Sequence, residues 1–179
     1  MIDERALYQQ LKNPYTKEAA FTQLVREFQE PLYWHIRRIV IYHDDADDVL
    51  QNTFVKAWNA IDTFRMESQF RTWLYRIAIN ESLNFLSKKK DIINLDHPEG
   101  SIAYSLTSDN YFDGDEAQQQ FQRAINSLPE KQRLVFNLKY FDEMKYEDIS
   151  QALGTSVGAL KASYHHAVKK ILSFFEEND

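Results

Sequence analysis

From Glu18 onward, apolar residues return every three or four positions. Phe21, Leu24, Val25, Phe28, Leu32, Ile36, Ile39 and Val40 form one helical stripe. Pro31 lies inside it and predicts a kink or a break. His43-Asp44-Asp45 ends the stretch, and Asp45 or Asp47 is placed to cap the next helix, whose N-terminus favours carboxylates. That helix sets Ala46, Leu50, Phe54, Ala57, Trp58 and Ile61 on one face and Asp45, Asp48, Asn52, Lys56 and Asn59 on the other. A polar passage, Thr63 to Gln69, separates it from a helix over 70–90. Lys88-Lys89-Lys90 ends that helix, where the macrodipole prefers cations. Residues 91–117 lack a sustained period and contain Pro98, Gly100 and Gly114, so they read as a linker. Beyond them Ser127-Leu128-Pro129-Glu130 has capping-box spacing, and Val135, Leu138 and Phe141 carry its helix inward. Tyr146 to Leu153 forms a short helix and Gly154 breaks it. Thr155 or Ser156 caps the last helix, whose stripe is Val157, Leu160, Tyr164, Ala167 and Ile171. The pattern predicts an all-α chain of two small helical domains, 1–90 and 118–179, joined by the linker 91–117. The second contains a helix-turn-helix.

Composition narrows the chemistry. Four glycines and four prolines among 179 residues are few for a sandwich or barrel. The absence of cysteine removes disulfides, thiolate zinc sites and cysteine nucleophiles, and fits a reducing cytoplasm. The start, MIDERALYQQ, lacks a basic segment followed by an apolar run, and no stretch has the length and apolarity of a membrane span. A cytoplasmic protein without membrane insertion is the expectation.

The net charge of −6, taken whole, argues against nucleic acid. Its distribution reverses that reading. Residues 1–90 hold thirteen Lys/Arg against twelve Asp/Glu, and residues 118–179 hold eight of each. The linker holds seven acids (Asp91, Asp96, Glu99, Asp109, Asp113, Asp115 and Glu116) and no Lys or Arg, so the acidity sits in one segment.

Three constellations suggest function. In YEDISQALGTSVGALKASYHHAVKK, residues 146–170, Ser150 is small where two helices cross and Gly154 tolerates positive φ at the turn. Its second helix turns Gly158, Lys161, Ala162, His165, His166, Lys169 and Lys170 away from the apolar stripe, as a duplex-binding face would. A helical hairpin with a solvated basic face is the plainer alternative. In residues 64–90, Trp73, Arg76, Asn80, Asn84 and Lys88 fall near one helical face, with Phe64, Arg65, Phe70, Arg71 and Tyr75 around it. Rings stack on unpaired bases, cations hold phosphates and amides read base edges. Aromatic residues at helical spacing are more often core. The third, HDDADD at 43–48, offers imidazole and carboxylates for a divalent ion, as in an His-Asp phosphohydrolase. His35 is the only other histidine in the first ninety residues, and an acidic helix N-terminus explains the run. No metal, cofactor or catalytic residue is expected.

Together these segments resemble the bacterial sigma-70 family, in its extracytoplasmic-function (ECF) group, over about residues 14–175. DADDVLQNTFVKAW at 45–58 resembles the region-two signature, FRTWLYRIAINESLNFL at 70–86 the segment that melts and reads the minus-ten element, and SLPEKQRLVFNLKYFDEMKYEDISQAL region four. The resemblance implies a non-enzymatic subunit that binds core RNA polymerase and promoter DNA, often with an anti-sigma factor as a further partner. It implies that Asp45, Asp48, Gln51, Asn52 and Phe54 contact the polymerase clamp. The loop Phe64–Gln69, including Arg65 and Ser68, would capture a flipped base, with Trp73 and Asn80 flanking it and Arg76, Asn84 and Lys88 along the same minus-ten surface. Ser156, Gly158, Lys161, Ser163, His165, His166 and Lys169 would meet the minus-thirty-five element, and the linker would thread toward the RNA exit path. The family usually carries Arg at the positions of Ser163, His166 and Val168, and usually Ser where Lys145 stands. Weak minus-thirty-five binding is therefore expected. A helix-turn-helix regulator with a helical sensing or dimerisation domain is the alternative function.

Overall fold

The computed structural model describes residues 3–96 and 116–178, with side chains over 3–89 and 116–177. Helices make up its regular structure, with no strand among the described residues. It divides into two compact units, each described here by itself.

The first unit holds α1 (Glu4–Lys12), α2 (Lys17–Val40), α3 (His43–Ala60), a single 3-10 turn (Ile61–Thr63) and α4 (Phe70–Asp96). The sequence pattern assigned nothing before Glu18, yet α1 has clear local causes. The Asp3 carboxylate accepts hydrogen bonds from the Arg5 and Ala6 amides at 3.0 and 3.1 Å, and Leu7 and Leu11, four apart, are buried against α2. α2 runs unbroken through Pro31. That residue is exposed, so the hydrogen bond it cannot donate is lost where water can replace it. Leu24, Leu32 and Ile36 on α2 are fully enclosed by α3 and α4.

α2 ends at Ile41, whose amide reaches the Arg37 carbonyl at 2.9 Å with φ of 78°, a strained conformation for a β-branched residue. α3 then starts at His43, earlier than a cap at Asp45 or Asp47 allows. Tyr42 occupies the cap position without a side-chain bond, and Asp44 and Asp45 lie inside the first turn. The buried face of α3 is Ala46, Val49, Thr53 and Ala57, rotated from the expected stripe. Thr53 enters the core because its hydroxyl donates to the Val49 carbonyl four residues back at 2.7 Å. Leu50 and Phe54 sit at its margin, and Trp58 is 37% exposed. α4 continues past Lys90 to Asp96, since no helix breaker occurs before Pro98.

The second unit holds α5 (Glu116–Asn126), α6 (Glu130–Tyr140), α7 (Tyr146–Leu153) and α8 (Val157–Asn178). Glu116, expected in the linker, opens α5, while residues 97–115 lie outside the described residues. The expected capping box at Ser127 does not form. The Ser127 hydroxyl donates backward to the Ala124 carbonyl at 2.7 Å, and α6 starts after Pro129 without a side-chain cap. Proline disfavours helical backbone at the residue before it, so Leu128 cannot be the first helical residue of α6. Ala124, Ile125, Leu128, Phe136, Ala167 and Ile171 form the core, with α8 packed on α5, α6 and α7.

Candidate nucleic-acid interface

On α3, Asp48, Gln51 and Asn52 are exposed, but Asp45 turns toward α4. Its carboxylate meets the Lys89 ammonium at 2.5 Å and is only 17% exposed. Lys89 in turn lies over the Tyr42 ring at 4.5 Å. Phe54 is half-buried. The five residues expected to share one docking face therefore split, three outward and two inward. Trp58, expected in the buried stripe, instead packs edge-on against Phe21 at 5.0 Å under the Lys17 ammonium at 4.8 Å. At the acidic run, His43 Nδ1 pairs with the Tyr33 hydroxyl at 2.6 Å, and Nε2 lies 3.4 Å from Asp47 Oδ2. The imidazole thus joins α2 to α3.

The loop before α4 has a buried root and an open tip. Phe64 is 6% exposed, its ring tilted against Phe70 at 4.7 Å and Trp73 at 4.9 Å. It anchors the loop rather than presenting a face to solvent. Arg65, Glu67 and Gln69 are exposed, Ser68 is half-buried, and Met66 takes a positive φ of 54°. Along α4, Trp73 and Arg76 are half-buried and Asn80, Asn84 and Lys88 are exposed. A groove between α3 and α4 is lined by Asn80, Glu81 and Asn84 on one side and by Lys56 and Asn59 on the other. Lys56 and Glu81 form an ion pair across it. Sequence reading placed Lys56 and Asn59 on the polar face of α3 without a role. Their spacing of three, facing an Asn-rich helix, was the available signal.

In the second unit the turn forms as its residues require. Gly154 adopts φ of 62° and ψ of 28°, and its amide donates to the Ser150 carbonyl at 2.9 Å. Ser156 caps α8, its hydroxyl accepting from the Ala159 amide at 3.3 Å. Gly158, Lys161, Ala162, His165, His166, Lys169 and Lys170 are all exposed. Lys161, His165 and Lys169 follow one another at intervals of four and so lie in one row along α8. Ser163 is half-buried and lies off that row. Two ammonium groups lie over the Tyr146 ring, Lys139 at 5.0 Å and Lys161 at 5.7 Å from its centroid. Burial, and next the neighbouring Tyr164, push the Tyr146 phenol above its ordinary value. Lys145 precedes α7 without a side-chain cap.

Known proteins match both units. The Sigma-70 region 2 model matches residues 24–92, and the Sigma-70, region 4 model matches residues 118–171. The chain is 33% identical over 164 residues to the ECF RNA polymerase sigma-E factor of Escherichia coli (strain K12), covering 86% of this chain and 85% of that one. It is 33% identical over 156 residues to the ECF RNA polymerase sigma factor SigW of Bacillus subtilis (strain 168), covering 82% and 83%. Among solved structures, the sigma factor RpoE in complex with the anti-sigma factor NepR from Bartonella quintana aligns with a TM-score of 0.74 at 25% identity, covering 87% of this chain and 96% of that one. CnrH, solved in complex with the cytosolic domain of CnrY, shares the fold with a TM-score of 0.68 at 24% identity, over 98% and 99% of the two chains. With both sigma regions matched in order, and a third of the residues shared with ECF members over most of its length, the chain belongs to the sigma-70 family, in its ECF group.

Proposed function

We propose that this protein acts as an alternative sigma factor, which binds core RNA polymerase and directs promoter recognition and transcription initiation. The observation that carries the reading is the presence of both sigma regions in order, each on its own helical unit. The division of labour follows: residues 1–90 for polymerase and the minus-ten element, 118–179 for the minus-thirty-five element, and the acidic segment 91–117 between them. On α3, Asp48, Gln51 and Asn52 are the docking residues, since they are the exposed members of the set. Asp45 acts with them only where Lys89 releases it.

For the melted strand, the tip of the Phe64–Gln69 loop and the groove around Asn80 and Asn84 offer the chemistry of an unpaired base. Amides stand ready to read base edges, Lys56 can pair with phosphate only where it leaves Glu81, and Trp73 supplies a ring. For duplex DNA, Lys161, His165 and Lys169 form the row that enters the major groove, with Ser156 and Gly158 at the N-terminal end of the helix. Three lysines on the exposed face of α8 are few, and each phosphate neutralised adds only about −0.9 to the salt slope. Duplex binding by this unit is weak and gains strength from polymerase. The protein supplies recognition and leaves the chemistry to polymerase, in the cytoplasm where that enzyme works. A protein antagonist, as the Bartonella quintana factor has in NepR, suits it as a further partner. A pull-down with purified core polymerase tests the reading. Retention on core, and protein that stays monomeric without it, supports a sigma factor. A dimer that binds duplex operators and ignores core overturns it in favour of a helix-turn-helix regulator.

A further inference from the structure

We propose that α1, which lies outside the matched region-two segment, is a clamp that positions the strand-reading loop, with Tyr8 and Lys12 as its positioning residues. The inference rests on the strand-capture role proposed for that loop. Three side chains of α1, one helical turn apart along one face, reach three successive points of the chain between α3 and α4. Near the N-terminus of α1, Glu4 Oε2 accepts from the Phe70 amide at 3.4 Å, at the start of α4. In the middle, the Tyr8 hydroxyl donates to the Phe64 carbonyl at 3.3 Å, and its ring meets the Phe64 ring edge-on at 6.1 Å. At the C-terminus, Lys12 Nζ donates to the Asp62 carbonyl at 2.6 Å and lies 3.4 Å from the Ile61 carbonyl.

Apart from the Ile61 carbonyl, which already accepts from the Phe64 amide at 3.2 Å, the contacts fall on backbone groups that the 3-10 turn and the first turn of α4 leave unpaired, so they fix backbone position as well as adding packing. They bracket the loop and spare its tip: Arg65, Glu67 and Gln69 stay exposed. α1 is itself firmly seated. Leu7 and Leu11 are 2% and 1% exposed, and the Thr16 hydroxyl donates to the Gln10 carbonyl at 2.8 Å across the turn into α2. Lys17 of α2 adds a second hold on the same turn, with Nζ 2.8 and 2.9 Å from the two Asp62 carboxylate oxygens. A loop held in its binding-competent form spares the ligand the free energy of ordering it.

The test uses the full-length chain, wild type and Tyr8→Phe, Lys12→Met, the double variant and Lys12→Arg. The probe is a single-stranded DNA oligonucleotide selected from a random pool by wild-type chain bound to core polymerase. Each bond lost should open the loop about two- to tenfold more often, so amide exchange at Phe64, which donates to the Ile61 carbonyl, should quicken by that factor. Affinity for the oligonucleotide, measured well below the unfolding temperature, should fall at least threefold in the double variant. Core-polymerase affinity should hold, and Lys12→Arg should restore most of the loss. A merely structural helix would lower the melting temperature and leave both the oligonucleotide affinity and its rescue unmoved. Asn80→Ala is the reference. If it weakens the oligonucleotide and the double variant does not, the clamp is overturned. If Asn80→Ala also has no effect, strand capture itself fails and the clamp falls with it.

Discussion

Gly154 and Gly158 respond oppositely to alanine, although a Cβ at either position would meet nothing within 4 Å. Steric contact drops out, and backbone conformation alone decides the sign. Gly154 sits in the left-handed region at φ of 62°, where an L-residue pays about 1–2 kcal/mol. Removing glycine's freedom from the unfolded chain returns about 0.4–1 kcal/mol. Gly154→Ala should therefore destabilise the second unit by about 1 kcal/mol. Gly158 lies in the first turn of α8 with helical backbone, where alanine is favoured by about 0.5–1 kcal/mol. For a unit of this size, about 1 kcal/mol corresponds to roughly 4–8 °C in melting temperature. Thermal unfolding of the full chain should show a transition lowered by about that much for Gly154→Ala and raised by a few degrees for Gly158→Ala. Exchange of the Ile149 amide, bonded to the Lys145 carbonyl at 3.0 Å, assigns the change to the second unit. Shifts of the same sign, or an unmoved Gly154→Ala, would refute the argument and with it the left-handed turn that joins the two helices.

Other expectations bear on the first unit. Asp48→Arg reverses an exposed charge, so stability should change by less than about 0.5 kcal/mol while affinity for core polymerase, by titration, falls about tenfold; unchanged affinity removes Asp48 from the docking face. A double-mutant cycle of Asp45→Ala and Lys89→Ala should give a coupling of about 0.2–1 kcal/mol in urea unfolding, kept small because Lys89 is 38% exposed; zero coupling means the pair contributes nothing to the fold. Asn80→Ala should cut open-complex yield on duplex promoter at least about fivefold, with one lost base contact worth about 1 kcal/mol or more, while closed-complex formation holds; equal loss in closed complexes would move Asn80 out of strand reading.

Legibility in the sequence depended on whether one residue's local preference decided the structure. Gly154 had one plausible use, and the capped, amphipathic α8 after it followed from the spacing of Leu160, Ala167 and Ile171. The exposed basic row of α8 was readable for the same reason. Competition between preferences hid the rest. Ser127 and Glu130 had capping-box spacing, but Pro129 forced Leu128 out of the helix and the hydroxyl turned back to α5. Thr53 counts as polar in a pattern, yet its own helix satisfies the hydroxyl, which rotates the buried face of α3 away from Trp58. Asp45 and Lys89 stand 44 residues apart, and no local rule joins them. The clamp contacts of α1 are longer still in sequence, up to 66 residues between Glu4 and Phe70. At the candidate site the residue types were legible and their division into outward and inward was not, because tertiary packing sets it.

A sigma factor gives core polymerase a promoter preference. The direct measurement is transcription by purified core polymerase on a fragmented genomic template, with and without the full-length protein, followed by sequencing of RNA 5′ ends. A set of start sites should appear only with the protein, share one minus-ten sequence at fixed spacing, and weaken with Asn80→Ala in step with its loss of open complexes. Start sites identical with and without the protein would contradict it.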